Sequence, residues 1–509
     1  MKKQSLIKGT IILGMAGIFA RFLGLFFRIP IQALIGDQGM GYYQMSYPLY
    51  MTFVAVASGV PIAMSKFIAE MNAKNDEEGA LQVLRQTLFF MIVLASAVTA
   101  LMLMFARPII SILRWDPKSY YSFMVIATAP IFVSIMCTFR GYFQGLQNVR
   151  PTAISQIVEQ IGRVCAGVLF AYLLYPKGIE YAAAGAALGT LVGGAMGSIY
   201  LYLTYFKSKK RFMRKVSKRK HILYDLGKAA LPISMGAAVG TIMSLIDSVI
   251  VPQQLLKAGF SQLQSAVLYG QLTGKVFTLM NVPLALSVAL CASLVPIIAE
   301  AFYLGRRREL VKRVDMAVKL SNVISLPSSL GMFFMAYPIM HLVFMKDAAG
   351  YEILKYISIS IPFIILTQTS TAILQSIGNY MKPVYNLGIG CIVKVIVTYV
   401  LVSMTSVNIY GAVIGSILGY VTSCILNMNE LKKNLNLKVN IVGAFVKPAF
   451  ASIIMIIAVV FSNASVYNYT MSIGLSCVIS IVIGIIVYIL FIFLLGIFEY
   501  EEIKKKFCK

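Results

Sequence analysis

A chain of 509 residues is long enough for several water-soluble domains, but 59% hydrophobic residues, 13% charged residues and a mean hydropathy of +0.81 fit no soluble class. A net charge of +26 would suit nucleic acid, yet so apolar a chain leaves no soluble basic face on which a polynucleotide could dock. The composition is that of an integral membrane protein. Its stretches of roughly twenty apolar residues suit helices across an approximately 30 Å hydrocarbon core rather than the short alternating strands of a barrel.

About fourteen membrane-spanning helices are predicted. In chain order they lie near 5–33, 40–69, 81–106, 119–144, 152–176, 181–206, 223–251, 265–300, 316–341, 351–377, 384–404, 409–428, 442–462 and 470–497. Both termini then fall on one side of the membrane. The termini and connections on that side hold 28 Lys and Arg, whereas those on the other side hold 6. The positive-inside rule therefore predicts a multi-pass cell-membrane protein with both termini in the cytoplasm.

The first span follows Met1-Lys2-Lys3, but its apolar run is too long for a signal peptide and no small-x-small site closes it, so it is expected to remain. It carries Arg21 and Arg28, seven residues apart and so nearly on one face. Each would cost about 2.5–3.5 kcal/mol at the bilayer centre, which calls for a wet cavity, a buried carboxylate or a bound anion. Near the end of the second span, Lys66 lies four residues before Glu70, where a helical ion pair competes with a role in binding. The fifth span presents Gln156, Glu159, Gln160 and Arg163 as one polar stripe. Glu159 either neutralises Arg163 or serves as a protonatable group beside a transport path.

The tract 207–220, with nine basic residues, reads as a cytoplasmic linker drawn to anionic lipid headgroups. Asp247, in the seventh span, has no basic residue within a turn, so it is expected to be protonated, bound to a cation or paired with another helix. Lys275 sits in Gly270-Gln271-Leu272-Thr273-Gly274-Lys275, which is one residue short of a phosphate loop and continues with Val276 where Ser or Thr is needed; a nucleotide site is excluded. Lys275 can still reach a central cavity from the start of the eighth span. His221 and His341 are the chain's only histidines, and neither sits in a nucleophilic or general-base arrangement. The seven cysteines lack metal or disulfide spacing.

An internal repeat organises these spans. The segment Phe143-Gln144-Gly145-Leu146-Gln147-Asn148-Val149-Arg150-Pro151 is echoed by Leu374-Gln375-Ser376-Ile377-Gly378-Asn379-Tyr380-Met381-Lys382-Pro383, and Gly185, Gly189 and Gly193 by Gly411, Gly415 and Gly419. Small residues at this spacing allow close helix packing. Two six-helix lobes in parallel repeat follow, at 1–206 and 223–440, joined by the linker 207–222. Residues 441–509 add two apolar helices and a basic tail. An even number of helices per lobe relates the lobes by an axis along the membrane normal, with substrate expected between them.

This all-α architecture, with Lys8-Gly9-Thr10, Arg21-Phe22-Leu23-Gly24, Gly36-Asp37-Gln38-Gly39 and Gly59-Val60-Pro61-Ile62-Ala63-Met64-Ser65-Lys66, resembles the multidrug/oligosaccharidyl-lipid/polysaccharide (MOP) exporter superfamily. Within it the chain is similar to the polysaccharide biosynthesis and stage V sporulation protein B branch, which is related to the lipid II flippases. The resemblance implies translocation of an undecaprenyl-pyrophosphate-linked saccharide, lipid II or a related wall precursor, from inner to outer leaflet by alternating access. It also implies that Arg21 and Arg28 engage the pyrophosphate, with Lys66 and Lys275 as further cations. Some relatives bind sodium through an acidic residue of span 7 and polar residues of span 11, to which Asp247 and Asn386 would correspond. Sodium or protons would be the coupling ion, with Glu159 as another coupling carboxylate. The lipid II flippases carry a basic residue midway along span 2, where this chain reads Tyr50-Met51-Thr52-Phe53. Expected partners are the lipid-linked saccharide, anionic membrane lipids and cell-wall synthesis proteins, and no nucleic acid. A cation-coupled drug exporter shares the architecture, but organic cations favour acidic or aromatic cavities over arginines. A membrane polymerase or transferase would call for catalytic residues in long outer loops, and these loops are short.

Overall fold

The computed structural model describes residues 6–74, 76–208, 222–344, 347–435 and 442–497. The linker tract from 209 to 221, which contains His221, and the basic tail lie outside the described residues, as does the side chain of Arg21. The described chain is helical, with no strand among its residues. Cα packing divides it into two compact units, Met1–Gly270 and Gln271–Lys509.

The first unit contains α1 (Leu6–Ala57), α2 (Gly59–Ala73), α3 (Glu77–Met104), α4 (Ala106–Ile112), α5 (Tyr120–Ile126), α6 (Ala129–Gly145), α7 (Arg150–Leu174), α8 (Ile179–Ser208), α9 (Ile222–Lys257) and α10 (Gln262–Gly270). The predicted loop between the first two spans is here reduced to a single break in α1 at Gly36, whose φ of 64° and ψ of −172° suit glycine almost alone. Gln32 and Asp37 hydrogen-bond across that break. Helix α9 packs on α1 and α2 within this unit.

The second unit contains α11 (Phe277–Tyr303), α12 (Arg307–Phe334), α13 (Ala336–Val343), α14 (Tyr351–Ile357), α15 (Ile361–Ser376), α16 (Met381–Val402), α17 (Tyr410–Leu435), α18 (Lys447–Thr470) and α19 (Ile473–Leu494). Turns of π-helix lead into α11 at Gln271–Val276 and into α18 at Val442–Val446. Gly484 packs α19 closely against Val459 of α18. The outer faces of this pair expose Ile457, Phe461, Ile486 and Leu494, as a lipid-facing surface requires.

Eleven helices among the described residues are long and apolar enough to cross a membrane, or twelve if α12 and α13, bent by 84°, form one broken span. The fourteen predicted from sequence exceed this by the spans at 5–33 and 223–251. Both are helical in α1 and α9, but they include side chains outside the described set.

The echoed corners have one geometry. In the first, Asn148 N–H donates to the Phe143 carbonyl at 3.0 Å with Gln147 at φ 57°; in the second, Asn379 N–H donates to the Leu374 carbonyl at 2.9 Å with Gly378 at φ 87°. The glycine echo is equally concrete. Gly189 and Gly193 of α8 press on the carbonyls of Arg163 and Glu159 in α7, and Gly415 of α17 presses on Thr398 and the Lys394 carbonyl of α16. A methyl group at Gly193 would land on the Glu159 carbonyl, a backbone atom that cannot swing away. Gly193→Ala is therefore expected to destabilise the protein by about 1–3 kcal/mol, read as a lower thermal midpoint of the detergent-solubilised protein. An unchanged midpoint would show that α7 and α8 can slide apart without cost.

Candidate functional site

Close packing by α8 fixes how α7 is rotated, and the polar stripe of α7 consequently meets charges from two other helices. Glu159 accepts from Arg163, one turn along its own helix, at 3.2 Å, and from Arg140 of α6 at 2.9 Å. Arg140 also donates to Ser155 of α7 at 3.0 Å. Arg163 reaches α1, where its guanidinium lies 3.4 Å from the Tyr47 hydroxyl and 3.3 Å from the Tyr50 hydroxyl. The three charged side chains are only 11–16% exposed. Along the same face of α1, Tyr43, Tyr47 and Tyr50 stand ring beside ring with centroids 5.2 and 5.6 Å apart, and Phe27 meets Tyr43 edge-on. Tyr43 feels the positive charge of both Arg163 and Arg28.

Two guanidiniums share one carboxylate, so the triad carries a surplus positive charge in largely apolar surroundings. The Nε of Arg163 and the Oε1 of Gln156 are buried and have no hydrogen-bond partner. Guanidinium forks match phosphate and carboxylate oxygens two at a time, and a nearby tyrosine wall limits hydration. Such a site can hold an anion that competes with Glu159 for its arginines.

Arg140 is the residue that sequence reasoning missed, because it stood at the end of a span and was grouped with the cytoplasmic connection. An antiparallel hairpin folded about residues 147 and 148 places position 140 opposite position 155, so the corner itself carried the signal. Tyr47 and Tyr50 were likewise unassigned. Where the lipid II flippase pattern leads one to look for a cation in span 2, the Tyr50 hydroxyl meets the cation of Arg163 instead.

The other predicted residues lie elsewhere. Lys66 is exposed on α2, and Glu70 pairs with Lys74 at 2.8 Å in place of the expected partner. Asp247 is buried in α9, one residue before Ser248, whose carbonyl accepts from the Trp115 indole at 2.6 Å. In the second unit, Lys275 is fully buried and its ammonium binds Asp347 at 2.7 Å. Asn386 of α16 is buried and donates to Asn427 of α17 at 2.9 Å, and Asn427 in turn donates to Thr371 of α15 at 3.1 Å. The structure thus brings Glu159 and Arg163 together with Arg140 in the first unit, and places Lys275 and Asn386 in separate polar clusters of the second.

Residues 6–302 match the polysaccharide biosynthesis protein family, and residues 271–400 match the MatE family. Among curated relatives, the chain is 29% identical to stage V sporulation protein B of Bacillus subtilis, over 87% of this chain and 86% of that one. It is 25% identical to the lipid II flippase MurJ of the same organism, over 85% and 83%. Among solved structures, an inward closed lipid II flippase MurJ superposes with a TM-score of 0.71, at 16% identity, covering 94% of this chain and 98% of that one. An inward-facing MATE multidrug transporter of the MOP superfamily gives 0.70 at 17% identity, over 84% and 98%. These similarities, with the many apolar helices, establish a multi-pass membrane protein of the MOP transporter fold, and the chain belongs to the polysaccharide biosynthesis protein family.

Proposed function

We propose that this protein is a flippase that carries a polyprenyl-pyrophosphate-linked saccharide from the inner to the outer leaflet by alternating access, with both termini in the cytoplasm. The observation that supports this best is the Arg140–Glu159–Arg163 triad, which holds surplus positive charge among tyrosines inside an apolar bundle. The pyrophosphate competes with Glu159 for the two guanidiniums, and Arg28 and Arg21 add charge from α1. Each methylene kept in lipid is worth about 0.8 kcal/mol, so the polyprenyl tail stays in the bilayer while the headgroup crosses. Relatives named as a lipid II flippase and a sporulation protein support a wall-precursor cargo.

Sodium or protons supply the driving force in this reading, through the buried Asp247 and the Asn386 cluster, with Glu159 changing partners as cargo binds. Asp247→Asn is expected to leave the fold intact and to remove the dependence of transport on an ion gradient. Retention of that dependence, measured across vesicles with imposed sodium and proton gradients, would make Asp247 structural.

Depleting the protein and identifying the accumulating lipid-linked intermediate by mass spectrometry tests the function. A polyprenyl-pyrophosphate saccharide is expected to build up. The second reading, a cation-coupled multidrug exporter, is favoured by the MatE match; it requires instead that lipid intermediates stay constant while efflux of organic cations falls.

A further inference from the structure

At one end of the first unit lies a cavity of about 520 Å³ that the transport reading does not use. Its walls include Arg107, Arg114, Trp115, Tyr120, Tyr121 and Gln262, and no carboxylate is among its lining residues. The end of the unit is defined by its contacts. Tyr121 meets Tyr181 at the start of α8, hydroxyl to hydroxyl at 3.3 Å, and Lys118 pairs with Glu180 at 3.6 Å. From there α8 runs for 30 residues, about 45 Å, before reaching the basic linker. The cavity therefore lies at the end that the charge distribution places outside the cell. Of the six Lys and Arg assigned to that side, Arg107, Arg114 and Lys118 fall in this one connection, against the usual depletion.

The chemistry of the walls is specific. Arg107 lies over the Tyr120 ring at 5.7 Å, and the rings of Tyr121 and Tyr181 meet at a tilt of 42° with centroids 4.5 Å apart. The nearby Asp116 is buried, accepts from the Lys118 backbone amide and is not among the residues lining the cavity. Arg114 occupies a position made for glycine. It follows α4 with φ 51°, its N–H donating to the Ser111 carbonyl and the Trp115 N–H to the Ile110 carbonyl, the pattern of a helix terminus in which glycine is favoured. An exposed arginine held in this conformation is accounted for by its guanidinium rather than by its backbone.

We infer that this cavity is a binding site for an anionic saccharide, a sugar ring bearing a carboxylate or phosphate. Its volume falls in the range of small-molecule sites, the tyrosine faces receive the apolar face of a sugar ring, and Arg107 and Arg114 take the anion bidentately.

Trp115 is the only tryptophan in the chain and lines the cavity, so its fluorescence reports occupancy directly. The full chain in phosphatidylcholine nanodiscs is titrated with D-glucuronate and, separately, with D-glucose. Glucuronate is expected to give a saturable emission change, with glucose binding about tenfold more weakly or worse for want of a charge-assisted contact. Arg114→Gly is expected to weaken glucuronate binding by about tenfold or more while its thermal midpoint stays the same or rises, because glycine suits that φ. Retained folding excludes trivial loss of the site. No saturable change with glucuronate, equal binding of glucose, or unaltered binding by Arg114→Gly overturns the inference. So does loss of the glucuronate response in phosphatidylglycerol nanodiscs, which would make the cavity a phospholipid headgroup site.

Discussion

Replacing Glu159 by glutamine is expected to destabilise the protein by about 3 kcal/mol or more, the scale for removing one partner of a buried ion pair and leaving the charge behind. Two guanidiniums, on Arg140 and Arg163, would then face each other across a neutral amide at sites only 16% and 11% exposed. If these arginines form an anion site, an added anion replaces the lost carboxylate. Pyrophosphate at about a hundred times its dissociation constant would restore roughly 2.7 kcal/mol. The pair of outcomes, a lower thermal midpoint and its recovery with pyrophosphate, is measured on the detergent-solubilised protein. A drop that pyrophosphate does not reverse would reduce the triad to a structural brace.

Lys275 and Asp347 predict an asymmetry. The ammonium is fully buried, while the carboxylate it binds is half exposed. Asp347→Ala removes the carboxylate 2.7 Å from the buried ammonium, which keeps its other contacts, the Ala349 carbonyl at 3.4 Å and the Phe344 ring at 6.0 Å among them, and is expected to cost about 1.5–3 kcal/mol, the scale of one hydrogen bond to a charged group. Lys275→Met removes the buried charge with little change of volume, and Asp347 can rehydrate, so the cost is expected to stay below about 1.5 kcal/mol. Thermal midpoints of the two variants decide the matter, and the reverse order would mean that the ammonium is solvated from within the protein. Because Lys275→Met should fold, it also separates roles: normal transport by this variant would assign Lys275 to the architecture of the π-helical turn, and lost transport would assign it to cargo.

The architecture was legible because a bilayer imposes its period on a sequence. Most helix positions follow from apolar run lengths, and the echo of 143–151 in 374–383 and the glycine spacing reappear as corners and close helix contacts of like geometry. The separation of the first two spans was visible in the turn composition of Gly36-Asp37-Gln38-Gly39, and the structure narrows it to a kink at Gly36 that the hydrogen bond from Gln32 to Asp37 spans. The polar stripe of α7 was visible from its spacing, and so was the choice between an Arg163 partner and a free carboxylate. What sequence could not show was the third member. Arg140 reaches Glu159 from another helix, and pairs between helices leave no mark in local periodicity. Lys66 and Glu70 illustrate the converse: the expected spacing existed twice, at 66 and 70 and at 70 and 74, and side-chain direction chose the second.

The proposed flippase would carry a phosphate-linked headgroup across the membrane on arginines of the first unit. Its most direct test is translocation of a fluorescent polyprenyl-pyrophosphate saccharide in vesicles containing the wild-type protein or Arg28→Ala/Arg163→Gln, scored by accessibility of the headgroup to an external quencher. Two charge-assisted contacts are worth about 1.5–3 kcal/mol each, so the double variant is expected to be slower by roughly a hundredfold or more at equal incorporation. Translocation by that variant at the wild-type rate would contradict the account.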